Sequence, residues 1–144
     1  MLSTIATHSS RVASAAAACL LLAALASSQV VFQVPPPSGG DDAPLIQSQI
    51  QGARDHLLMN PGTGTAIVDF AVGARYRLES YAGGGPEPFC LLIHGMSANL
   101  DRLILRGNGA TLVHARMDGI SLGVRSSKRV TIEKLILERG PRPF

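Results

Sequence analysis

Few residues in this chain are equipped for chemistry. Asp118 stands directly before Gly119 and Ile120. A carboxylate there is a candidate general acid or base. An aspartate before glycine also forms a polar turn on its own account. The adjacent acids Asp41 and Asp42 precede a helical pattern, where carboxylates beside the positive end of a helix dipole serve as a cap. His56, His94 and His114 lack the spacing of metal ligands and no cysteine joins them, so no metal and no cofactor is expected. Cys90, between Phe89 and Leu91, reads as a small buried hydrophobe and not a nucleophile. Gly83-Gly84-Gly85 has neither the lysine nor the following helix of a phosphate cradle and reads as a loop.

The chain of 144 residues suits a single domain, and not all of it is expected to fold. Residues 1–26 have the layout of a secretory signal peptide: Arg11, then an Ala/Leu-rich run from Ala13 to Ala26 ending in Ala24-Leu25-Ala26. Ala26-Ser27-Ser28 offers a second cleavage site. A run of about 14 apolar residues is short of the roughly 20 that a membrane helix needs, so no stable span is expected once the signal is cut; an uncleaved anchor is the other reading. Export to the periplasm or the extracellular space follows. Cys19 lies within the discarded run, which leaves Cys90 alone and no internal disulfide. Of 13 basic residues, loss of Arg11 leaves 12 against 10 acidic, a net charge of +2. Arg125, Lys128 and Arg129 are the densest cations, and no aromatic interleaves with them to stack on bases, so nucleic acid is not an expected partner.

The elements that must position these residues are one helix and many short strands. Residues 27–40 read as a linker, extended at Pro35-Pro36-Pro37 and flexible at Ser38-Gly39-Gly40. A helix follows, capped by Asp41 or Asp42 with Pro44 in its first turn; Leu45, Ile46, Ile50, Ala53, Leu57 and Leu58 share a face, and Asn60-Pro61-Gly62 stops it. Strands are expected over 65–70, 76–78, 89–93, 103–105, 110–113, 120–122, 130–132 and 135–137. The intervals are too tight for crossover helices. Gly95, Gly107, Gly109 and Gly123 are expected to mark turns of positive φ. The Leu-Ile-Leu segments beginning at Leu103 and Leu135 suggest a repeat of 32 residues, the signature of a solenoid. On periodicity alone an antiparallel sandwich fits as well.

Pro37–Asp42 with the helix after it, Gly73–Leu78, Gly107–Leu112, Gly119–Leu122 and Arg129–Leu135, taken in that order, resemble the pectate-lyase-like superfamily of right-handed parallel β-helices. Pro37-Ser38-Gly39-Gly40-Asp41-Asp42 and its helix resemble that family's N-terminal cap. Gly73-Ala74-Arg75-Tyr76-Arg77-Leu78 is similar to the Pro-Gly-Thr-Tyr-Arg-Leu type of first coil, and Gly107-Asn108-Gly109-Ala110-Thr111-Leu112 to a recurring turn and strand. Gly119-Ile120-Ser121-Leu122 and Arg129-Val130-Thr131-Ile132-Glu133-Lys134-Leu135 resemble its Asn-Val-Thr-Ile-Glu-Asn-Leu coil. The likeness covers residues 37–144. Arg129 and Lys134 stand where the family favours Asn or Gly, and Asp69 and Val72 where it favours an apolar residue and Pro.

The resemblance implies a mainly β fold, the start of a right-handed parallel β-helix with an N-terminal capping helix over residues 41–144. It implies a secreted, carbohydrate-active protein with a polysaccharide as partner: a hydrolase or lyase, or a non-catalytic binding or attachment module. Polygalacturonase-like members carry Asn-Thr-Asp-Gly-x-Asp. Here Arg116 and Met117 replace the first two residues and Ser121 the last Asp, so Asp118 is the single candidate for catalysis and keeps no partner from that motif. Family members continue through many more coils, so the expectation is an N-terminal fragment whose catalytic residues lie beyond Phe144.

Overall fold

The computed structural model describes residues 29–62, 64–82, 88–95, 102–116 and 118–140. The signal-like segment, the triple-glycine loop and the last four residues lie outside them. The fold is mainly β with parallel strands and one helix. In chain order the elements are β1 (Gln29–Gln33), α1 (Ala43–Met59), β2 (Thr65–Asp69), β3 (Arg75–Leu78), β4 (Phe89–His94), β5 (Arg102–His114), β6 (Ile120–Arg125) and β7 (Val130–Arg139).

Among the described residues every strand pairing is parallel. β1, β2, β5 and β7 form one ladder in which Val30, Ala66, Leu103 and Val130 are in register, as are Phe32, Val68, Leu105 and Ile132. β3 joins the second half of β5, placing Tyr76, Leu112 and Leu137 in line, and Leu78, His114 and Arg139 beside them. β4 and β6 form a separate pair, with Leu91 opposite Leu122 and Ile93 opposite Val124. The order β2, β3, β4 is thus repeated by the two halves of β5 and then β6, one layer on. These ladders explain the alternating sequence: one side chain in two points at the core that Ala66, Val68, Tyr76, Leu91, Leu103, Leu105 and Leu112 share.

α1 covers this core with Ile46, Ile50, Ala53 and Leu57, all buried against the strands. Leu58, expected on the same face, is exposed, because one residue on from buried Leu57 it is turned about 100° around the helix axis. Gln47 fixes the helix to β4: its Nε2 donates to the Leu92 carbonyl at 2.9 Å and its Oε1 accepts from the Leu92 N–H at 2.8 Å. One amide side chain therefore satisfies a backbone edge that β6 does not reach.

Several expectations change. Part of the presumed linker is strand β1, and Val34 beyond it is buried with its N–H bonded to Asp69. The separate strands expected at 103–105 and 110–113 are one strand with a corner, as are those at 130–132 and 135–137. The corner of β5 is Asn108 and Gly109, at φ 52° and 78°, and that of β7 is Lys134 at φ 51°. The Asn108 side chain donates to the Phe70 carbonyl at 2.8 Å and to Asp69 Oδ1 at 2.9 Å, closing the corner onto the layer below. Three residues of β5, 107–109, stand against Lys134 alone, so the register shifts there. Leu103 consequently pairs with Val130, and Leu135 with Ala110; the 32-residue match of Leu-Ile-Leu segments is not the structural register. Arg129 and Lys134 both sit in the left-handed region that Asn and Gly favour.

Gly95 and Gly109 have positive φ as expected; Gly107 and Gly123 do not. Those two are glycines for want of room. A Cβ at Gly107 would lie 2.6 Å from the Lys134 carbonyl carbon and 2.7 Å from Leu135 Cα, and one at Gly123 would run into the Phe89 ring.

Candidate functional site

Asp41 and Asp42 do more than cap a helix. Asp42 occupies the N-cap position, yet its side chain bonds to no helical N–H. Its Oδ1 accepts from the Ser38 N–H at 2.8 Å and hydroxyl at 2.7 Å, and its Oδ2 from the Arg77 N–H at 3.0 Å, while its own N–H donates to the Arg77 carbonyl. Asp41 takes the Glu79 N–H on Oδ1 and the Ser80 N–H on Oδ2, and Oδ1 also accepts from the Ala43 N–H. Burial pushes the Asp41 carboxyl up, but hydrogen bonds from Ser80, Glu79 and Ala43 outweigh it and hold it below its usual range. The acid pair is a clamp that joins the start of α1 to the end of β3 and sets the path of the chain into Ser80 and Tyr81.

Beside the clamp is a concavity of about 280 Å³. Pro44, Gln47, Ser48 and Gln51 of α1 form one wall; Tyr81 and Cys90 are on the other. Tyr81 is held from behind. Its hydroxyl donates to the Asp118 carbonyl at 2.8 Å, the Arg116 guanidinium lies 4.9 Å from its ring centroid, and Gly119 leaves space for the ring that any Cβ would fill. Arg116 also reaches Asp118 Oδ1 at 3.3 Å. Buried Cys90 has its thiol pushed up to about 11 by burial and by Asp41, so it stays protonated and unreactive at neutral pH.

Asp118, the candidate from sequence, lies at this turn with an exposed side chain, and Gly119 after it has φ 88°. Tyr81, then hydrogen bonding with its own backbone and with Arg116, holds its carboxyl below the usual range. A carboxylate so stabilised suits a base and not a proton donor. Among the described residues the side chains that act on it are those of Tyr81 and Arg116. No protein-family model matches this chain. Neither does any curated protein or solved structure. What the site can do therefore rests on its own geometry: hydroxyl and amide groups and an aromatic ring edge a shallow space, and the ion pair stands behind the ring.

Among the described residues the histidines stand on three elements: His56 on α1, His94 and His114 at the ends of β4 and β5. Among the described residues no group of three or more His, Cys, Asp or Glu side chains is placed to hold a metal ion. The sequence offered no signal for Gln47, Ser48 and Gln51, which are ordinary polar residues of a helix until the Ser80–Tyr81 segment is set opposite them.

His114 has a structural consequence. It replaces an apolar residue in the stack above Leu78, is 2 % exposed, and its Nε2 has no hydrogen-bond partner. Burial, reinforced by Arg139 and Arg116 against an opposing Asp118, holds its pKa below the ordinary 6.5. Between the two values the unfolded chain binds more protons, so stability is full above 6.5 and falls as pH drops below it toward the folded value. His114→Leu should flatten the urea midpoint against pH in the window just below 6.5; an unchanged slope there would show that His114 is not the group responsible.

Proposed function

We propose that this chain is the capping helix and opening coils of an exported, right-handed parallel β-helix, and that it binds polysaccharide along the α1–Tyr81 concavity. The observation that carries the fold half is the order of the pairings: the path β2, β3, β4 recurs one layer on, always parallel, as coils of a solenoid do. Parallel crossovers are right-handed in nearly all proteins, which supplies the hand. The resemblance of residues 37–144 to pectate-lyase-like proteins points the same way, and with it to a carbohydrate-active class, hydrolase or lyase.

The site supports binding over turnover. Neutral amides and hydroxyls with one aromatic wall suit the hydroxyl groups and apolar faces of sugars. Among the described residues no second carboxylate acts on Asp118, whereas glycoside hydrolysis uses a pair. Gln51 lines the concavity, is exposed and is free of the fold's main contacts, so it serves as the probe. In affinity electrophoresis through gels containing pectin-like polymers the protein should be retarded, and Gln51→Ala should weaken the retardation by about tenfold, the loss of one or two hydrogen bonds. No new reducing or unsaturated ends should appear. Migration unaffected by any polymer would refute the binding; turnover abolished by Asp118→Asn would restore the enzyme.

A further inference from the structure

Resting on the sugar-binding reading above, we propose that the α1–Tyr81 concavity selects uncharged sugar units and rejects uronates, because Asp41 already holds the place that a ligand carboxylate would seek. The start of α1 opens on the concavity: Ala43 and Pro44 of its first turn are in the lining, with Ser80 beside Tyr81 on the other wall. The first N–H groups of a helix and its positive dipole end attract an anion. Here that attraction is satisfied from within the chain. Asp41 Oδ1 accepts from the Ala43 N–H at 3.1 Å and the Glu79 N–H at 2.9 Å, and Oδ2 accepts from the Ser80 N–H at 3.0 Å. Pro44 has no N–H to offer. The protein's own carboxylate is thus bonded to a lining residue on each wall.

The field in the concavity is consequently negative. Hydrogen bonds hold Asp41 ionised against the upward push of burial, and Asp118 is held ionised first by Tyr81. Cys90 on the Tyr81 wall feels both carboxylates. Burial is the largest cause that lifts its thiol to about 11; Asp41 and Asp118 add to it, and Arg116 opposes them. Arg116 is itself engaged, 4.9 Å from the Tyr81 ring centroid and 3.3 Å from Asp118 Oδ1.

The groups left to meet a ligand are neutral. Both ends of the Gln47 amide are taken by Leu92, which leaves the Ser48 hydroxyl and the Gln51 amide exposed on the α1 wall. Each can donate and accept, as sugar hydroxyls require. Among the described lining residues none is cationic. A uronate entering here sheds water and meets like charge, and a neutral sugar does neither. The selection runs against the charge of the whole molecule: with 13 basic and 10 acidic residues the net charge is +3, which alone would favour the acid.

Calorimetric titration of the full chain at neutral pH, with trigalacturonate and with the same trimer as its methyl ester, tests this. The ester should bind at least about tenfold more tightly, and the gap should shrink as added salt screens the like charges. Gln51→Ala should weaken the ester, which ties binding to the concavity. Gln51→Lys sets a cation on the wall and should improve the acid about tenfold, whereas Gln29→Lys on β1, outside the lining, should shift it less than about twofold. Asp41→Asn keeps the shape of the clamp and removes its charge, so it should narrow the gap; Gln51→Lys carries the test should that variant unfold. Equal affinity for the two trimers, tighter binding of the acid, or a gap indifferent to salt would overturn the selection and leave sugar binding in place. Binding of neither trimer would overturn both.

Discussion

Asp42→Ala should lower the free energy of unfolding by about 4 kcal/mol, since three hydrogen bonds end on one buried carboxylate and each such bond to a charged group is worth about 1.5–3 kcal/mol before overlap. Natural domains are stable by only about 5–15 kcal/mol, so much of the margin goes. The loss has a definite structure. The Arg77 N–H at the free side of β3 is left without a partner, and the chain entering α1 is released from Ser38. Asp42→Asn keeps the shape and one acceptor but turns an N–H toward the N–H groups that the other oxygen served, and should fall between wild type and alanine. Urea unfolding with an unchanged m-value reads both. A cost under about 1 kcal/mol for the alanine variant, the scale of a simple helix cap, would mean that Asp42 is only a cap.

Gly107→Ala should cost at least about 3 kcal/mol, at the severe end of overpacking, because the atoms in its way are the β7 main chain at Lys134 and Leu135, not a side chain that can swing aside. Something larger than a rotamer must move, and the expected casualty is the β5–β7 pairing. Hydrogen exchange should show the amides of Leu135, Ile136 and Leu137 losing protection while those of β2 keep theirs. Gly109, two residues on, is the control. Its Cβ would meet nothing within 4 Å, but its φ is 78°, so Gly109→Ala carries only the left-handed penalty of roughly 1–2 kcal/mol. If the two variants behaved alike, β7 would not cross Gly107 as closely as the structure has it.

These two sites show what the sequence could and could not convey. The helix was legible from its apolar period, from Pro44 and from Asn60-Pro61-Gly62, because those signals are local. The strands from β2 onward were legible from alternating apolar residues between turn residues. β1 was not, because five residues before a proline run leave little pattern to read. The corners were misread as ends: Asn108, Gly109 and Lys134 take left-handed conformations that bend a strand without stopping its pairing. Gly107 and Gly123 carry no mark that separates a glycine needed for positive φ from one needed for space. Asp41 and Asp42 stood out as acids, but their main partners, Arg77, Glu79 and Ser80, lie 35, 38 and 39 residues away. For the same reason Asp118 was visible as a turn residue and its partner Arg116 was nearby, whereas Tyr81, 37 residues distant, was not.

The stack of parallel ladders is the claim on which the rest depends, and nuclear Overhauser contacts within it test that claim most directly. Ile104 is in register with Ile67 on one side and Thr131 on the other. In isotope-labelled protein its backbone should show parallel-type contacts to both at once, between amide and α protons of neighbouring strands. Antiparallel sheets instead bring the α-carbons of non-hydrogen-bonded pairs to about 4.5 Å, with strong contacts between α protons. The account predicts that Ile104 has the first set and lacks the second; strong α-proton contacts from β5 to β2 or β7 would replace the parallel stack with an antiparallel sandwich.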